Sequence, residues 1–109
     1  MVARTDRLQG HLELLILRAL QREPMHGWAI AQRLQALSKS VLQVGQGSIY
    51  PALRRLEDED WIAAEWAVSE LGRRARFYRL TPSGRRQLER ERARWEEFAA
   101  AIGRVLELA

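Results

Sequence analysis

The sequence predicts a mainly α (α+β) fold in which three short helices precede a two-stranded hairpin and one long helix ends the chain. Two observations support this prediction. Apolar residues recur at helical spacing in the first half and again after residue 82, whereas two stretches between them alternate as strands do. The 109 residues also suffice for one compact domain with its own core. This order of elements is that of a winged helix-turn-helix with a two-stranded wing.

The first two helices are marked by apolar stripes. Glu23-Pro24 ends the first helix, because the residue before a proline resists the α region. The second helix follows a turn at Met25-His26-Gly27, in which His26 is a turn residue. We expect the first stripe to comprise Leu8, Leu12, Leu15, Ile16 and Ala19. The inner face of the second helix should carry Trp28, Ala31, Leu34 and Leu37, with Ile30 nearby.

The third helix is the candidate recognition helix. Ser48 is expected to cap it, with Pro51 in the first turn, where a missing N–H costs nothing. Its buried stripe is Ile49, Ala52, Leu53 and Leu56. A helix that enters the major groove with its N-terminus first would offer its other side to DNA. The candidate DNA-binding residues here are Ser48, Tyr50, Pro51, Arg54 and Arg55.

An acidic run at the end of this helix leaves an alternative open. Arg54–Asp58 and Arg55–Glu59 have the i,i+4 spacing of ordinary helix ion pairs. In that case both arginines are solvated surface residues that contact no DNA.

Two strand candidates follow the third helix. Trp61 to Val68 places Ile62, Ala64 and Trp66 on one face, and Trp61 and Trp66 are most simply hairpin and core residues. Arg76 to Thr81 places Tyr78 and Leu80 on one face and Arg79 on the other. The loop between the two strands runs from Ser69 to Ala75.

The positive charge is concentrated around this hairpin. Residues 71–94 hold nine arginines against two glutamates, a net +7, whereas the rest of the chain is at −3. Arg73, Arg74 and Arg76 should cluster at the hairpin tip, where they repel one another unless a polyanion neutralises them. Such a basic segment on a mildly acidic body indicates contact with a polyanion, and double-stranded DNA is the expected partner. The alternative is a solvated turn.

The last helix begins at Thr81-Pro82, a cap followed by proline at the first helical position, and should reach about Leu106. Its apolar residues follow a heptad pattern interrupted only at Glu91. A long helix on so small a domain cannot bury this stripe alone, so we expect homodimerisation; folding back onto its own domain is the alternative. The dimerisation residues are Leu88, Trp95, Phe98, Ile102, Val105 and Leu106. We therefore divide the chain into a DNA-binding domain, residues 1–81, and a dimerisation helix, residues 82–109.

Trp95 has two interpretations. Plain packing in the dimer interface is the simpler one. The other is that its ring lines a pocket for a flat aromatic effector.

Enzymatic and metal chemistry find no support in the sequence. There is no cysteine, and neither His11 nor His26 sits in a ligand-like cluster. Ser48 has no local base or elbow motif, so it is not a nucleophile. We expect neither cofactor nor metal. No apolar run reaches bilayer length and no signal peptide is evident, so we expect a cytoplasmic protein without membrane contact.

Three segments resemble the PadR family of transcriptional regulators. They are Pro24-Met-His-Gly-Trp-Ala-Ile30, Gly47-Ser-Ile-Tyr-Pro-Ala-Leu-Arg-Arg-Leu-Glu57 and Arg73-Arg-Ala-Arg-Phe-Tyr-Arg-Leu-Thr-Pro-Ser-Gly84. The single C-terminal helix is similar to the compact branch of the family. This chain departs from the family pattern at Trp28, where tyrosine is common, and at Asp60, where glycine often ends the helix.

The resemblance implies a homodimeric winged-helix repressor that binds a pseudo-palindromic operator. By position, Ser48, Tyr50 and Pro51 fall on the family's DNA-facing segment, and Arg73, Arg74 and Arg76 on its wing. Some relatives release DNA when phenolic or drug-like compounds bind at the dimer interface. Two rival functions stay open: a winged-helix adaptor that binds proteins and no DNA, and a sensor whose main role is to capture small molecules at Trp95.

Overall fold

The computed structural model describes the backbone of residues 3–108 and the side chains of residues 11–107. Four helices and three strands follow one another along this part of the chain. They are α1 (Ala3–Arg22), β1 (Met25–His26), α2 (Gly27–Leu37), α3 (Gln46–Asp58), β2 (Ile62–Val68), β3 (Arg74–Leu80) and α4 (Pro82–Leu108). The predicted winged-helix fold, mainly α with a β wing, is therefore confirmed.

One hydrophobic core connects the four helices to the sheet. The apolar stripe of α1 is wider than the sequence predicted, and Leu15 is only partly buried. Leu8 lies outside the described side chains. The predicted stripe of α3 is confirmed in full. The buried apolar residues of α1 are Leu12, Leu14, Ile16, Leu17, Ala19 and Leu20.

The predicted inner face of α2 was partly wrong. Trp28 and Leu37 are 56% and 67% exposed, so neither anchors the helix in the core. At about 100° per residue, Trp28 points roughly 110° and Leu37 roughly 70° away from the centre of the buried stripe. That stripe consists of Gly27, Ile30, Ala31 and Leu34.

The sheet has three antiparallel strands in the order β1-β3-β2, one more than predicted. Met25 and His26, expected in a turn, form the short strand β1 opposite Tyr78 and Phe77. Two residues carry no periodicity, so the sequence alone could not reveal this strand. His26 also caps α2, because its Nδ1 accepts a hydrogen bond from the Ala29 N–H at 3.2 Å.

The hairpin is longer and its loop shorter than expected, because β3 begins at Arg74 rather than Arg76. The turn closes with Gly72 at φ +77°, a conformation that glycine adopts without a steric penalty. Only Arg73 of the three wing arginines lies in the loop.

Helix α4 starts where the sequence predicts. The Thr81 hydroxyl accepts a hydrogen bond from the Gly84 N–H at 3.0 Å, and Pro82 is the first helical residue. The helix continues to Leu108 and spans about 40 Å at 1.5 Å per residue. Its first turns pack against α1 and the core, and its remainder extends beyond the domain.

Candidate nucleic-acid interface

Helix α3 begins two residues earlier than predicted. Its N-cap is Gly45, which makes no side-chain cap bond, so the prediction that Ser48 caps the helix is wrong. Extended backbone at Gly45 lets the helix start before the serine, and Ser48 lies half-buried in the first turn. Pro51 consequently falls in the second turn rather than the first. Its missing N–H leaves the carbonyl of Gly47, an exposed residue, without a helical donor, and water can satisfy it.

Tyr50 rests against the start of α2. A Cβ atom at Gly27 would lie 2.6 Å from Cε1 of the Tyr50 ring, so only glycine allows this close approach. The ring is nevertheless partly exposed. Gly27 thus leaves room for the Tyr50 ring against α2, a role that no local sequence pattern could reveal.

The two arginines of α3 differ in their surroundings. Arg54 is exposed and has no ion-pair partner among the described side chains. Arg55 Nε lies 2.7 Å from Glu13 Oε2 of α1. The i,i+4 pairs suggested by the sequence do not form, and the ion-pair partner of Arg55 lies on another helix.

The hairpin face that packs on the core extends beyond it toward the wing tip, where it carries two arginines. Ile62, Ala64, Tyr78 and Leu80 share the face that packs on the core, as the sequence predicted. Because side chains alternate along a strand, the outer residues of the same face are Trp66, Val68, Arg74 and Arg76. Trp66 is 60% exposed, so its predicted place in the core was wrong: it lies beyond the reach of the core, near the wing tip.

Each strand arginine has a distinct partner. Arg76 Nη2 lies 2.7 Å from Glu57 Oε2 at the end of α3. The Arg74 guanidinium carbon lies 5.1 Å from the centroid of the Trp66 ring. Arg79 points to the other face, as predicted, where its Nε is 3.8 Å from Glu65 Oε1.

These contacts bring the wing face and one side of α3 together. Tyr50, Arg54 and Glu57 recur at i, i+4 and i+7, so they form a single stripe along α3. Glu57 of this stripe binds Arg76 of the wing. The exposed stripe of α3 and the arginine-bearing face of the wing are therefore adjacent.

Tyr78 lies where α3 and the wing meet. Burial raises the pKa of its hydroxyl, and the neighbouring Arg76 guanidinium opposes the increase. Glu57 and Tyr50 raise the same pKa further, since both disfavour a negative charge on Tyr78. Arg76, Glu57 and Tyr50 are thus the charged or titratable neighbours of the Tyr78 hydroxyl.

The distal part of α4 exposes an apolar face. Trp95, Phe98, Ile102, Val105 and Leu106 are all exposed. Leu88 is different: it is 0% exposed and belongs to the core of its own chain. Leu88 must therefore be removed from the predicted dimerisation residues, because it packs within the domain before α4 extends beyond it.

An open cavity of about 590 Å³ lies between α1 and this face of α4. The Trp95 ring stacks on His11 with a centroid distance of 5.8 Å and an interplanar angle of 19°. Leu14 and Phe98 add apolar walls, and Glu91 contributes a carboxylate. Glu91, which interrupts the heptad pattern, therefore lines this cavity.

Among the side chains of residues 11–107, no three histidines or carboxylates come together in a way that could hold a metal ion. In the part of the chain that the structure describes, no helix is both long and apolar enough to cross a membrane.

Comparison with known proteins identifies the family. The model of the Transcriptional regulator PadR-like family matches residues 16–90, which include α2, α3 and the complete wing. The chain belongs to this family. Members of the PadR-like family are transcriptional regulators rather than enzymes, and this chain is a transcriptional regulator of that family.

Individual relatives match over most of their length. The chain is 36% identical over 91 residues to the transcriptional regulator Rv3488 of Mycobacterium tuberculosis, covering 84% of this chain and 81% of that protein. A PadR-like transcriptional regulator from Bacillus cereus has a TM-score of 0.80 at 30% identity, covering 93% and 96% of the two chains. A PadR family regulator from Eggerthella lenta has a TM-score of 0.78 at 30% identity, covering 98% and 92%.

Proposed function

We propose that this PadR-like protein is a homodimeric, sequence-specific DNA-binding repressor that recognises a pseudo-palindromic operator. The observation that carries the proposal is the ion pair between Arg76 and Glu57. It joins the arginine-bearing face of the wing to the exposed stripe of α3, so that one surface offers groups for both base edges and phosphates. The repressor role rests on the family resemblance.

On this surface α3 is the recognition helix. Its exposed N-terminal half is free to enter the major groove, where arginine binds guanine bidentately and hydroxyl groups reach bases or phosphates. Arg54 is the strongest candidate for a base contact, because no described carboxylate competes for it. Arg55 is a weaker candidate, because Glu13 already binds it. Ser48, Tyr50 and Pro51 complete the set of proposed contacts.

The wing supplies phosphate contacts. Arg73 in the loop and Arg74 on β3 extend beyond the core and have no ion-pair partner among the described side chains. Arg76 shares its charge with Glu57, so we assign it mainly to holding the wing against α3. Each phosphate that the wing neutralises should add about 0.9 to the log–log dependence of affinity on salt.

The second copy of the chain covers the exposed face of α4. The five large apolar residues from Trp95 to Leu106 are 40–71% exposed in the single chain, and burying them against an equivalent helix removes them from water. We accordingly assign DNA binding to residues 1–81 and dimerisation to residues 82–109. The two-fold axis would present two recognition helices about 34–36 Å apart.

DNA titration tests the proposal. Labelled duplexes from the regulator's own promoter region are titrated with protein at several salt concentrations, and anisotropy is measured. Arg54→Ala should weaken binding by about 1–3 kcal/mol per half-site, as expected for loss of a bidentate base contact. Tyr50→Ala should weaken it as well. Arg79→Ala is the matched control, because Arg79 lies on the opposite face of the wing.

Unchanged affinity in both α3 variants would mean that another face binds the DNA. A salt-independent affinity would contradict phosphate contacts by the wing. Failure of the wild-type protein to bind promoter or random DNA would favour the protein-adaptor function instead.

The cavity beside Trp95 favours an additional ligand-sensing function. An aromatic effector would stack on Trp95 between α1 and α4 and alter the dimer that holds the two recognition helices. Aromatic compounds should then quench Trp95 fluorescence and weaken DNA binding. Trp95→Phe separates this signal from the other three tryptophans. Quenching that persists in Trp95→Phe would contradict the site.

A further inference from the structure

Trp66 is a large aromatic side chain that the core does not use. It is 60% exposed on β2, near the tip of the wing. In the strand register it lies opposite Arg76 and diagonal to Arg74, on the same face as both. Arg74 extends over its ring at 5.1 Å. Trp66 therefore contributes little to the core, and its exposed ring shares a face with the wing arginines.

Arg74 differs from the neighbouring strand arginines in having an aromatic ring rather than a carboxylate as its partner. Arg76 and Arg79 each direct guanidinium nitrogens at a carboxylate. Stacking on a ring instead engages the flat face of the guanidinium and leaves its N–H donors pointing outward in the plane. Those donors have the fork geometry that binds a phosphate through two hydrogen bonds.

We propose that Trp66 is a positioning residue, which holds the Arg74 guanidinium in place for a DNA phosphate. The inference rests on the proposed DNA-binding function and deepens it. A free arginine side chain loses considerable rotamer freedom when it binds a phosphate. Trp66 restricts that freedom before DNA arrives, so Arg74 binds at a smaller entropic cost, as a preorganised group does.

A double-mutant cycle tests the assignment. Trp66→Leu keeps an apolar side chain but removes the π face, and should lower DNA affinity about two- to fivefold per wing, the range of an exposed cation–π contact. Arg74→Ala should lower affinity and reduce the salt slope by about 0.9 per wing. In the Arg74→Ala background Trp66→Leu should have no further effect. Trp66→Tyr should restore most of the affinity.

Two controls separate positioning from folding. Trp28→Leu removes an equally exposed tryptophan from α2 and should leave DNA affinity and salt slope unchanged. Thermal unfolding of each variant reports any loss of fold. If Trp66→Leu is destabilised, the cycle instead compares Trp66→Tyr, which keeps an aromatic ring, with Trp66→Met, which does not. An equal effect of Trp66→Leu in the presence and absence of Arg74 would overturn the proposal.

A measurement without DNA keeps this inference distinct from the proposed function. The Trp66 ring current should shift the Arg74 side-chain proton resonances upfield in the free protein, and Trp66→Leu should abolish the shift. If the shift is present and the protein binds no DNA, the stacking stands and the DNA-binding function fails. An absent shift would overturn the positioning role even if DNA binds.

Discussion

Asp60 ends α3 in a backbone conformation that suits glycine better than aspartate. Its φ is +62°, in the left-handed region. The Trp61 N–H donates to the Leu56 carbonyl at 3.1 Å and the Asp60 N–H to the Glu57 carbonyl at 2.9 Å, the two bonds of a Schellman motif. Asp60 therefore stands where glycine is usual in the family, and the helix still ends in a Schellman turn.

We predict that Asp60→Gly stabilises the domain by about 0.5–1 kcal/mol, because it relieves the left-handed strain and removes a negative charge from a helix C-terminus. Thermal and urea unfolding measure the change. Asp60→Asn should give a smaller gain, since asparagine tolerates this conformation, and Asp60→Ala a loss. Equal stability of the glycine and alanine variants would contradict the strain.

Gly84 is required for a different reason, the close approach of α4 to Trp61, the residue that precedes β2. A Cβ atom at this position would overlap the carbonyl oxygen of Trp61, which is backbone and cannot rotate away. The same carbonyl accepts a hydrogen bond from the Thr81 N–H at 3.1 Å. Gly84 thus lets the first turn of α4 approach the chain that enters the hairpin.

Gly84→Ala should therefore destabilise the domain by about 1–3 kcal/mol, the usual cost of overpacking. Gly103→Ala in the same helix is the matched control, because no atom lies within 4 Å of the added methyl group. It should stabilise the helix by about 0.5–1 kcal/mol through propensity. The two variants should move the unfolding midpoint in opposite directions; a shift of the same sign in both would contradict the overlap.

At the scale of elements, periodicity predicted where the helices lie better than which residues they bury. The stripe of α3 was correct because it is strictly amphipathic. The face of α2 was partly misjudged because Trp28 and Leu37 were assumed to be buried, whereas the buried stripe includes the small Gly27 beside the correctly predicted Ala31 and Leu34. The short strand β1 forms by pairing with β3, so no local sequence pattern could predict it.

For the candidate interface, the sequence identified most of the charged side chains but none of their partners. Arg55, Arg74 and Arg76 were predicted from charge and spacing. Glu13, Glu57 and Trp66 were missed as their neighbours, because each contact joins segments that are far apart in the chain or depends on strand register. The positions of Ser48 and Leu88 also depended on tertiary packing, which decides where a helix starts and where it leaves the core.

The exposed apolar face of α4 leads to a prediction about assembly. Phe98→Glu or Ile102→Glu should convert the dimer to monomers, since each places a charge in the apolar interface at a cost of about 3 kcal/mol or more. Ala100→Glu is the matched control, because residue 100 is exposed and points about 160° away from both positions. Analytical ultracentrifugation measures the mass. A wild-type monomer, or a dimer insensitive to Phe98→Glu, would contradict the α4 interface.

At the scale of the whole molecule, the structure separates the proposed DNA surface from the proposed interface. The stripe of α3 and the wing lie together at one site, held by Arg76 and Glu57, and the apolar half of α4 extends away from the core. The molecule is accordingly elongated, with principal extents of 53 × 30 × 23 Å. Helix α1 contacts both regions, through Glu13 on one side and the cavity beside Trp95 on the other.

We infer that this surface, doubled by a two-fold axis through α4, reads DNA. The decisive experiment is the selection of bound duplexes from a random pool by the wild-type protein. We expect enrichment of two inverted half-sites whose centres are about 10–10.5 base pairs apart, or a multiple of that spacing. Recovery of unenriched DNA, or of a single asymmetric site without a repeat, would contradict it.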